Sequence, residues 1–187
     1  MPEHSSCLIA APSCVIPAHI PENCRYLEPL VDEVGLCFFE TRACLEYGPK
    51  ELPPDLADLD LSFHIHLPLD LDWSGGGREA AEVCIRLADK ADFLSPRVYV
   101  LHPPDSVGEL EAFLGHWRAS GFEPGRILLE NIRSNDLSVF LPHLAGLGCL
   151  LCLDTGHALA YGQAMLLKDP GILKHVRMLH FYAPGRD

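Results

Sequence analysis

Residues that commonly bind metal ions follow five consecutive apolar segments of this 187-residue chain. His66 closes one such segment and His102 closes the next. Glu130, Asp154 and His180 stand at the corresponding position after the three segments that follow. Imidazole and carboxylate groups are ligands of zinc and related divalent ions, and they are costly to bury beside apolar runs unless something binds them. The pattern therefore predicts a metal centre.

Three further residues extend this candidate set. His157 follows Asp154 after a Thr-Gly turn and is a sixth candidate metal ligand. His64 precedes His66 by two residues, so both face one side of a strand, and we predict that His64 makes hydrogen bonds one layer deeper rather than binding the ion. Glu40 also follows an apolar segment. Two roles stay open for it: contact with the substrate or support of a metal ligand, and a position on the solvated surface.

A divalent ion in such a centre would supply hydrolytic chemistry. It lowers the pKa of a bound water toward neutrality and takes up charge on a phosphoryl or carbonyl oxygen. Two or more ions suit phosphoester hydrolysis, because one holds the nucleophile and another holds the leaving oxygen. Glu130 is central in the strand order and is suited to bridge two ions. The sequence has no recognisable nucleophile elbow, which disfavours covalent catalysis.

Seven apolar strands alternate with amphipathic helices and must position these residues. This order predicts a parallel sheet, either doubly wound or closed as a (β/α)₈ TIM barrel, and in a barrel all the strand ends converge on one face. No Gly-x-Gly-x-x-Gly follows the first strand and no Walker loop occurs, so nucleotide binding is disfavoured. We predict strands over 14–16, 34–39, 61–67, 98–101, 127–129, 150–153 and 176–179, and helices over 21–31, 79–93, 106–119, 137–147 and 159–167. We expect the helix over 137–147 to be bent or interrupted at Pro142.

Composition narrows the choice of substrate and compartment. Lys and Arg total 14 against 26 Asp and Glu, and the formal net charge of −12 disfavours a nucleic-acid partner. No apolar run approaches the roughly 18–20 residues needed to cross a bilayer, so we predict no membrane partner. Glu3 and His4 stand where a signal peptide would carry Lys or Arg, and we expect a mature, cytoplasmic chain with reduced, mostly buried cysteines.

Several segments resemble a known superfamily. FHIHLPLDLD, YVLHPPD, ILLENI, CLDTGHALAYG and MLHFYAPGRD resemble the metal motifs of the xylose isomerase-like, or AP endonuclease family 2, barrels. Within that superfamily, VIPAHIPENCRYLEPLVDEVGLCFFE, HLPLDLD, PRVYVLH and DTGHALAYG are similar to the cobamide-remodelling phosphodiesterase (CbiR) subgroup. The resemblance implies a single (β/α)₈ barrel domain over residues 1–187, truncated after about the seventh strand.

The resemblance also implies a ligand set and a reaction. One to three divalent ions are expected, usually zinc in the endonuclease branch, with manganese as the other candidate. The implied substrate is a cobamide, a corrinoid small molecule, whose nucleotide-loop phosphoester is hydrolysed to cobinamide phosphate and a nucleoside. The ligands implied are His66, His102 and Glu130 for one ion, Glu130, Asp154 and His180 for a second, and His157 with Asp187 and a following His for a third.

Three other functions stay open. A sugar isomerase or epimerase on the same fold would use one metal, held by Glu130, Asp154, His180 and a Glu from the eighth strand. A DNA repair endonuclease is disfavoured by the charge of −12. A binding module would keep the metal or corrinoid pocket without turnover. The combination of His66, His102 and His157 favours the hydrolase that uses several ions.

Overall fold

Seven parallel strands form one sheet in the computed structural model, which describes residues 7–181. The strands are β1 (Ala10–Pro12), β2 (Glu33–Cys37), β3 (Ser62–His66), β4 (Tyr99–Leu101), β5 (Ile127–Glu130), β6 (Leu150–Asp154) and β7 (Val176–His180). Their order in the sheet is their order in the sequence. A sheet wound in one direction is that of a (β/α) barrel, whereas a doubly wound sheet reverses its order at a switch point. The strand order confirms the barrel architecture.

Helices connect the strands and cover the outside of the sheet. The two longest, α3 and α4, pack against each other, and α4 begins with a capping box in which Ser106 Oγ accepts from the Glu109 backbone N–H and donates to the Glu109 carboxylate. None of the described helices is long and apolar enough to cross a bilayer. The helices are α1 (Ile20–Leu27), α2 (Thr41–Leu45), α3 (Gly77–Lys90), α4 (Val107–Ala119), α5 (Leu144–Leu147), α6 (Thr155–Ala160) and α7 (Pro170–Leu173).

The ends of the first two strands differ from prediction. β1 lies four residues before the predicted segment 14–16, because Pro12 pairs with Gly35 and the chain turns directly afterwards. β2 ends at Cys37 instead of continuing to residue 39, and Glu40 becomes the residue before α2. Pairing with the neighbouring strand, rather than local apolarity, sets both boundaries.

Two predicted helices are also interrupted. Over 137–147, Leu137 has a φ of 65° and Pro142 lies in a short 3-10 turn (Leu141–His143), so only the single turn of α5 is α-helical. The predicted helix 159–167 starts earlier, as α6, because Asp154 caps it. It ends before Gly162, whose φ is 74°, and a 3-10 turn (Ala164–Leu167) follows.

The apolar core has two parts. A large cluster fills the space between the sheet and the helices, with Trp117 and Tyr99 among its largest fully buried side chains. A small cluster of Val100, Leu128 and Cys152 lies on the opposite face of the sheet. Strand side chains alternate between faces, so the small cluster lies on the same face as the residues two positions further along each strand. That face is the barrel interior, and the candidate ligands lie directly above the small cluster.

Candidate metal centre

Glu130 lies at the centre of the candidate site. It is the last residue of β5 and is only 2% exposed. Its Oε2 atom lies 3.0 Å from His66 Nε2 and 3.2 Å from His102 Nε2, and its Oε1 atom lies 2.7 Å from His180 Nδ1. The barrel thus brings three imidazoles from β3, β7 and the loop after β4 onto the two oxygens of one buried carboxylate.

The surrounding imidazoles decide the ionisation of Glu130. Burial alone would raise the pKa of this carboxyl, because the charged form loses its hydration. Contacts from His102, His180 and His66 outweigh that effect and hold the pKa of Glu130 well below its ordinary value. The carboxylate is therefore ionised at neutral pH and can bind cations at both of its oxygens.

Backbone carbonyls fix the orientation of two candidate histidines. His66 Nδ1 lies 2.9 Å from the carbonyl oxygen of Leu67, and His157 Nδ1 lies 2.9 Å from that of Asn131. A carbonyl only accepts, so Nδ1 carries a proton in both rings, and Nε2 is the nitrogen left to face the site. Metal-binding histidines commonly show this arrangement, in which the second nitrogen donates to a carbonyl or carboxylate.

Asp154 joins the site from the end of β6. It is 3% exposed, and its Oδ1 atom caps α6 by accepting from the His157 backbone N–H at 2.6 Å. Oδ2 lies 3.6 Å from His157 Nδ1 and 4.0 Å from His180 Nδ1. Burial is the main cause that raises the pKa of Asp154, and the negative charge of Glu130 adds to it. Two buried carboxylates therefore lie close together at this rim.

A buried amide pair holds the end of β6 in place, and the sequence reasoning assigned it no role. Asn131, fully buried, donates to the Asp154 carbonyl at 3.0 Å and accepts from the Asp154 N–H at 2.7 Å. It also donates to Gln163 Oε1 at 2.9 Å, and Gln163 donates to the carbonyl of Ile132. The signal for Asn131 was its position directly after Glu130, whereas Gln163 has no local signal because its partners are distant in sequence.

The residues present fit a divalent ion. His66, Glu130 and His180 offer ligand atoms within 4.8 Å of one another, and so do Glu130, Asp154 and His157. Donors bound to one ion at about 2.0–2.2 Å stand roughly 2.9–3.4 Å apart, which is close to the distances around Glu130. Nitrogen and carboxylate donors of this kind suit zinc and related metals. Glu130 belongs to both groups and is placed to bridge them.

The arrangement around Glu130 only partly follows the grouping that the resemblance implies. His66 and His102 share one oxygen of Glu130 and His180 faces the other, but the ligand atoms of His180 group with those of His66 and Glu130 instead of with Asp154. His157, implied as a ligand of a third ion, instead lies with Asp154 and Glu130. Asp187 lies outside the described residues. Which ions these residues bind stays a prediction.

The other two predicted residues lie apart from this cluster. His64 is buried inside the barrel, where its Nδ1 atom lies 2.6 Å from Glu33 Oε1. Glu33 also contacts Ser62 and Arg97, and sequence reasoning missed it because it begins a strand instead of ending one. Glu40 is exposed at the start of α2, and its side chain makes no cap there. Roles of His64 and Glu40 toward substrate stay predictions.

Comparisons with known proteins support the barrel at the level of fold. The chain is similar to a xylose isomerase domain protein from Planctomyces limnophilus (TM-score 0.56, 13% identity, covering 91% of this chain and 71% of that one). It is similar to the probable 3-DHS dehydratase AsbF involved in petrobactin synthesis from Bacillus anthracis (0.62, 14%, 91% and 71%). It is also similar to a D-tagatose 3-epimerase-like protein (0.60, 14%, 92% and 75%).

Sequence comparison adds no assignment beyond this. No protein-family model matches the chain, and no curated protein matches it. At 13–14% identity the three structures share the fold with this chain and nothing finer. The chain therefore has the fold of the xylose isomerase-like TIM barrels.

Proposed function

We propose that the protein is a metal-dependent phosphodiesterase that hydrolyses the nucleotide-loop phosphoester of cobamides to cobinamide phosphate and a nucleoside. The observation that carries the hydrolase part is Glu130, which presents one oxygen to His66 and His102 and the other to His180. A carboxylate with candidate ligands beside each of its oxygens can bridge two ions, as the resemblance implies. Paired ions suit phosphoester cleavage, because the attacking and leaving oxygens are stabilised together.

The charge of the site supports cation binding. Glu130 and Asp154 are 2% and 3% exposed, and each disfavours the charge of the other. Burying two neighbouring carboxylates without compensation is expensive, and the neighbouring imidazoles carry a positive charge only when protonated. Divalent ions supply that compensation at any pH at which the histidines are neutral.

The chain's own residues have separate tasks in this proposal. His66, His102 and His180 hold ions against Glu130, while Asp154 and His157 hold the other edge of the site. Asn131 and Gln163 fix the backbone of Asp154 and so keep its free oxygen directed at the site. Bound divalent ions supply a nucleophile at neutral pH and take up negative charge on the phosphoryl group. A phosphodiester is already negatively charged and is attracted to such a centre.

The choice of a cobamide as substrate depends on the sequence resemblance. The segment over 15–40 and the motifs HLPLDLD, PRVYVLH and DTGHALAYG support it. The acidic balance of the chain, −12 overall, favours a small molecule over a nucleic-acid backbone.

The test is to load the purified protein with Zn²⁺ or Mn²⁺, incubate it with a cobamide, and analyse the products by mass spectrometry. We expect cobinamide phosphate and a nucleoside from the wild type and none from Glu130→Gln, because the variant loses the bridging charge. Glu111→Gln, an exposed change on α4, should retain turnover. Turnover by Glu130→Gln at the wild-type rate would reject the mechanism, and intact cobamide with the metal-loaded wild type would reject the substrate.

A sugar isomerase or epimerase is the second candidate. It is favoured by one finding, that two of the similar structures are a xylose isomerase domain protein and a D-tagatose 3-epimerase-like protein. Incubating the same metal-loaded samples with ketohexoses and with an abasic DNA duplex at low salt separates the alternatives. We expect neither substrate to change. Epimerised sugar would favour the second candidate, and nicked DNA would favour a repair endonuclease.

A further inference from the structure

The cysteines of the chain differ sharply in exposure. Cys7 and Cys14 are exposed and Cys37 is half-buried, whereas the other five are at most 1% exposed. Thiols buried to that degree are out of reach of dissolved reagents, and reactivity follows access to a thiol as well as its ionisation. Solution chemistry at sulfur is therefore confined to three residues, of which two are neighbours in the fold. The five buried cysteines are Cys24, Cys44, Cys84, Cys149 and Cys152.

Cys14 and Cys37 stand opposite each other at the carboxyl ends of β1 and β2. Pro12 pairs with Gly35, and Ser13, the residue before Cys14, bonds to both Gly35 and Cys37, so the turn after β1 brings Cys14 next to the end of β2. Adjacent strands are about 4.7–4.9 Å apart, so residues that follow neighbouring strand ends on one side can come within the Cα separation of about 4.4–6.8 Å that disulfides span. Burial raises the pKa of the Cys37 thiol, and the neighbouring Cys14 thiol raises it further; the Cys37 thiol donates to the Gly35 carbonyl at 3.5 Å.

The backbone around this pair is already fixed. Ser13 donates its N–H to the Gly35 carbonyl at 2.9 Å, and its hydroxyl accepts from the Cys37 N–H at 3.0 Å. The segment after Cys14 is held by Asn23, which is fully buried and bonds both the N–H and the carbonyl of Ile16. Bond formation between the two sulfurs therefore requires side-chain rotation and little ordering of the chain, which keeps its entropic cost low.

Both thiols line one cavity of about 230 Å³, together with apolar and aromatic side chains that include Phe39 and Tyr47. Cys37 is the register partner of His66, so the cavity opens on the same face of the barrel as the candidate metal centre. A reagent in solution reaches Cys14 first, because Cys14 is exposed whereas Cys37 is half-buried. Cys37 then lies within reach of whatever forms on Cys14.

We propose that Cys14 and Cys37 are a reversible thiol-oxidation site that forms a disulfide on exchange with a low-molecular-weight disulfide such as glutathione disulfide. The Cys14 thiolate attacks one sulfur of glutathione disulfide, and a mixed disulfide forms as one glutathione thiolate leaves. The Cys37 sulfur attacks the Cys14 sulfur and expels the second glutathione. The protein loses two electrons and two protons, and one glutathione disulfide becomes two glutathione molecules.

This site does not depend on the proposed phosphodiesterase activity. The bond would link the segment after β1 to the end of β2 and so fix the cavity wall beside His66. Its existence can be read from covalent mass alone, with no substrate present. A failure of cobamide turnover would leave the thiol result unaffected, and the reverse also holds.

The experiment treats the reduced, full chain with glutathione buffers of rising oxidised fraction in the presence of EDTA, so that bound metal does not shield the thiols. Samples are alkylated with N-ethylmaleimide and analysed as intact protein and as peptides. We expect a species that carries two N-ethylmaleimide groups fewer than the reduced form and is lighter by two further hydrogen atoms. We also expect a Cys14–Cys37 linked peptide, and dithiothreitol should remove both. Cys7→Ser should behave in the same way, because Cys7 has no part in the pair.

Single variants separate the two steps of the exchange. Cys37→Ser should stop at a glutathione adduct on Cys14, since the resolving thiol is gone. Cys14→Ser should give no internal disulfide. The proposal is overturned if wild type and Cys7→Ser both keep Cys14 and Cys37 fully alkylated in glutathione disulfide alone. It is also overturned if their only products are glutathione adducts, or if a linked peptide forms through Cys7 instead.

Discussion

Gly35 determines whether His64 can lie inside the barrel. A Cβ atom at Gly35 would stand 2.5 Å from His64 Nε2 and 2.9 Å from its Cε1, closer than atoms normally approach. The imidazole lies between this backbone and Glu33, to which Nδ1 is bonded at 2.6 Å. The absence of a side chain at residue 35 is thus what makes room for the buried Glu33–His64 pair beneath the candidate metal centre.

Gly35→Ala should therefore destabilise the protein by about 1–3 kcal/mol, the range typical of overpacking in a core. The ring must move, and the bond to Glu33 is lost with it. Urea unfolding followed by circular dichroism measures the effect. Adding His64→Ala to Gly35→Ala should cost less than the two single changes summed, because the clash is removed. If Gly35→Ala unfolded at the wild-type urea midpoint, the His64 ring would have space for the added methyl group, contrary to the structure.

Glu33 makes the stability of the fold depend on pH in the acid range. Burial opposes its ionisation, but hydrogen bonds from His64 and Ser62 and the charge of Arg97 outweigh burial and lower the pKa of Glu33. A carboxyl whose folded pKa lies below its unfolded value stabilises the fold above the unfolded value of about 4.3. That stabilisation is lost as the pH falls from there through the folded pKa.

We expect Glu33→Gln to be less stable than wild type at pH 7 and to lose less stability on acidification below about pH 4.3. Urea unfolding midpoints, measured from neutral pH to below about pH 4.3, test this. Glu111→Gln, whose exposed side chain shows no such contacts, should keep the wild-type slope. Parallel pH profiles for wild type and Glu33→Gln would mean that the carboxyl gains nothing from its partners in the fold.

At the level of elements, α3 packs closely against the backbone of α4 at Gly77. A Cβ atom there would collide with the backbone carbonyl of Glu109, which is part of the first turn of α4 and cannot rotate away. We expect Gly77→Ala to lower the free energy of unfolding by about 1–3 kcal/mol. Gly115→Ala, in the exposed middle of α4 with open space around the new methyl group, should raise it by roughly 0.5–1 kcal/mol.

Denaturant unfolding of both variants beside wild type distinguishes close packing from helix propensity. Propensity favours alanine at both sites, so a difference in sign isolates the contact between α3 and α4. Stabilisation by both substitutions would mean that the helices separate at low cost.

Elements could be predicted from sequence where one short segment contained the whole signal. The strand ends at His66, Glu130, Asp154 and His180 are visible because a polar residue follows an apolar run, and parallel topology then brings them together. The capping box at Ser106 is likewise a four-residue pattern. Such signals need no knowledge of distant residues.

What the sequence missed depends on residues far apart in the chain. Glu33 was overlooked because His64 lies 31 residues away and Arg97 lies 64 residues away. Gln163 finds its partner Asn131 32 residues back. β1 has only three residues, and its pairing with β2 sets its position. The interruption of the 137–147 helix at Pro142 could be predicted from the sequence, whereas the positive φ of Leu137 at its start could not.

For the molecule as a whole, the excess of acidic side chains is connected with the metal binding that we propose. The chain carries 26 acidic side chains against 14 basic ones, and two of those carboxylates, Glu130 and Asp154, are buried at the same rim. The folded barrel assembles ligands from β3, β5, β6 and β7, which are scattered along the unfolded chain. Metal should therefore bind the folded state preferentially and stabilise it by mass action.

We expect Zn²⁺ or Mn²⁺ at about 100 times its dissociation constant to contribute about 2.7 kcal/mol, which raises the melting temperature of a chain of this size by roughly 5–10 °C. Thermal unfolding with and without metal, and after EDTA, measures the shift. Glu130→Gln should lose most of it, whereas Glu111→Gln should keep it. Since both variants retain all eight cysteines and ten histidines, metal binding by thiols or by the unfolded chain cancels in the comparison. Equal shifts in the two variants would place the ion away from Glu130 and remove the basis for the hydrolase.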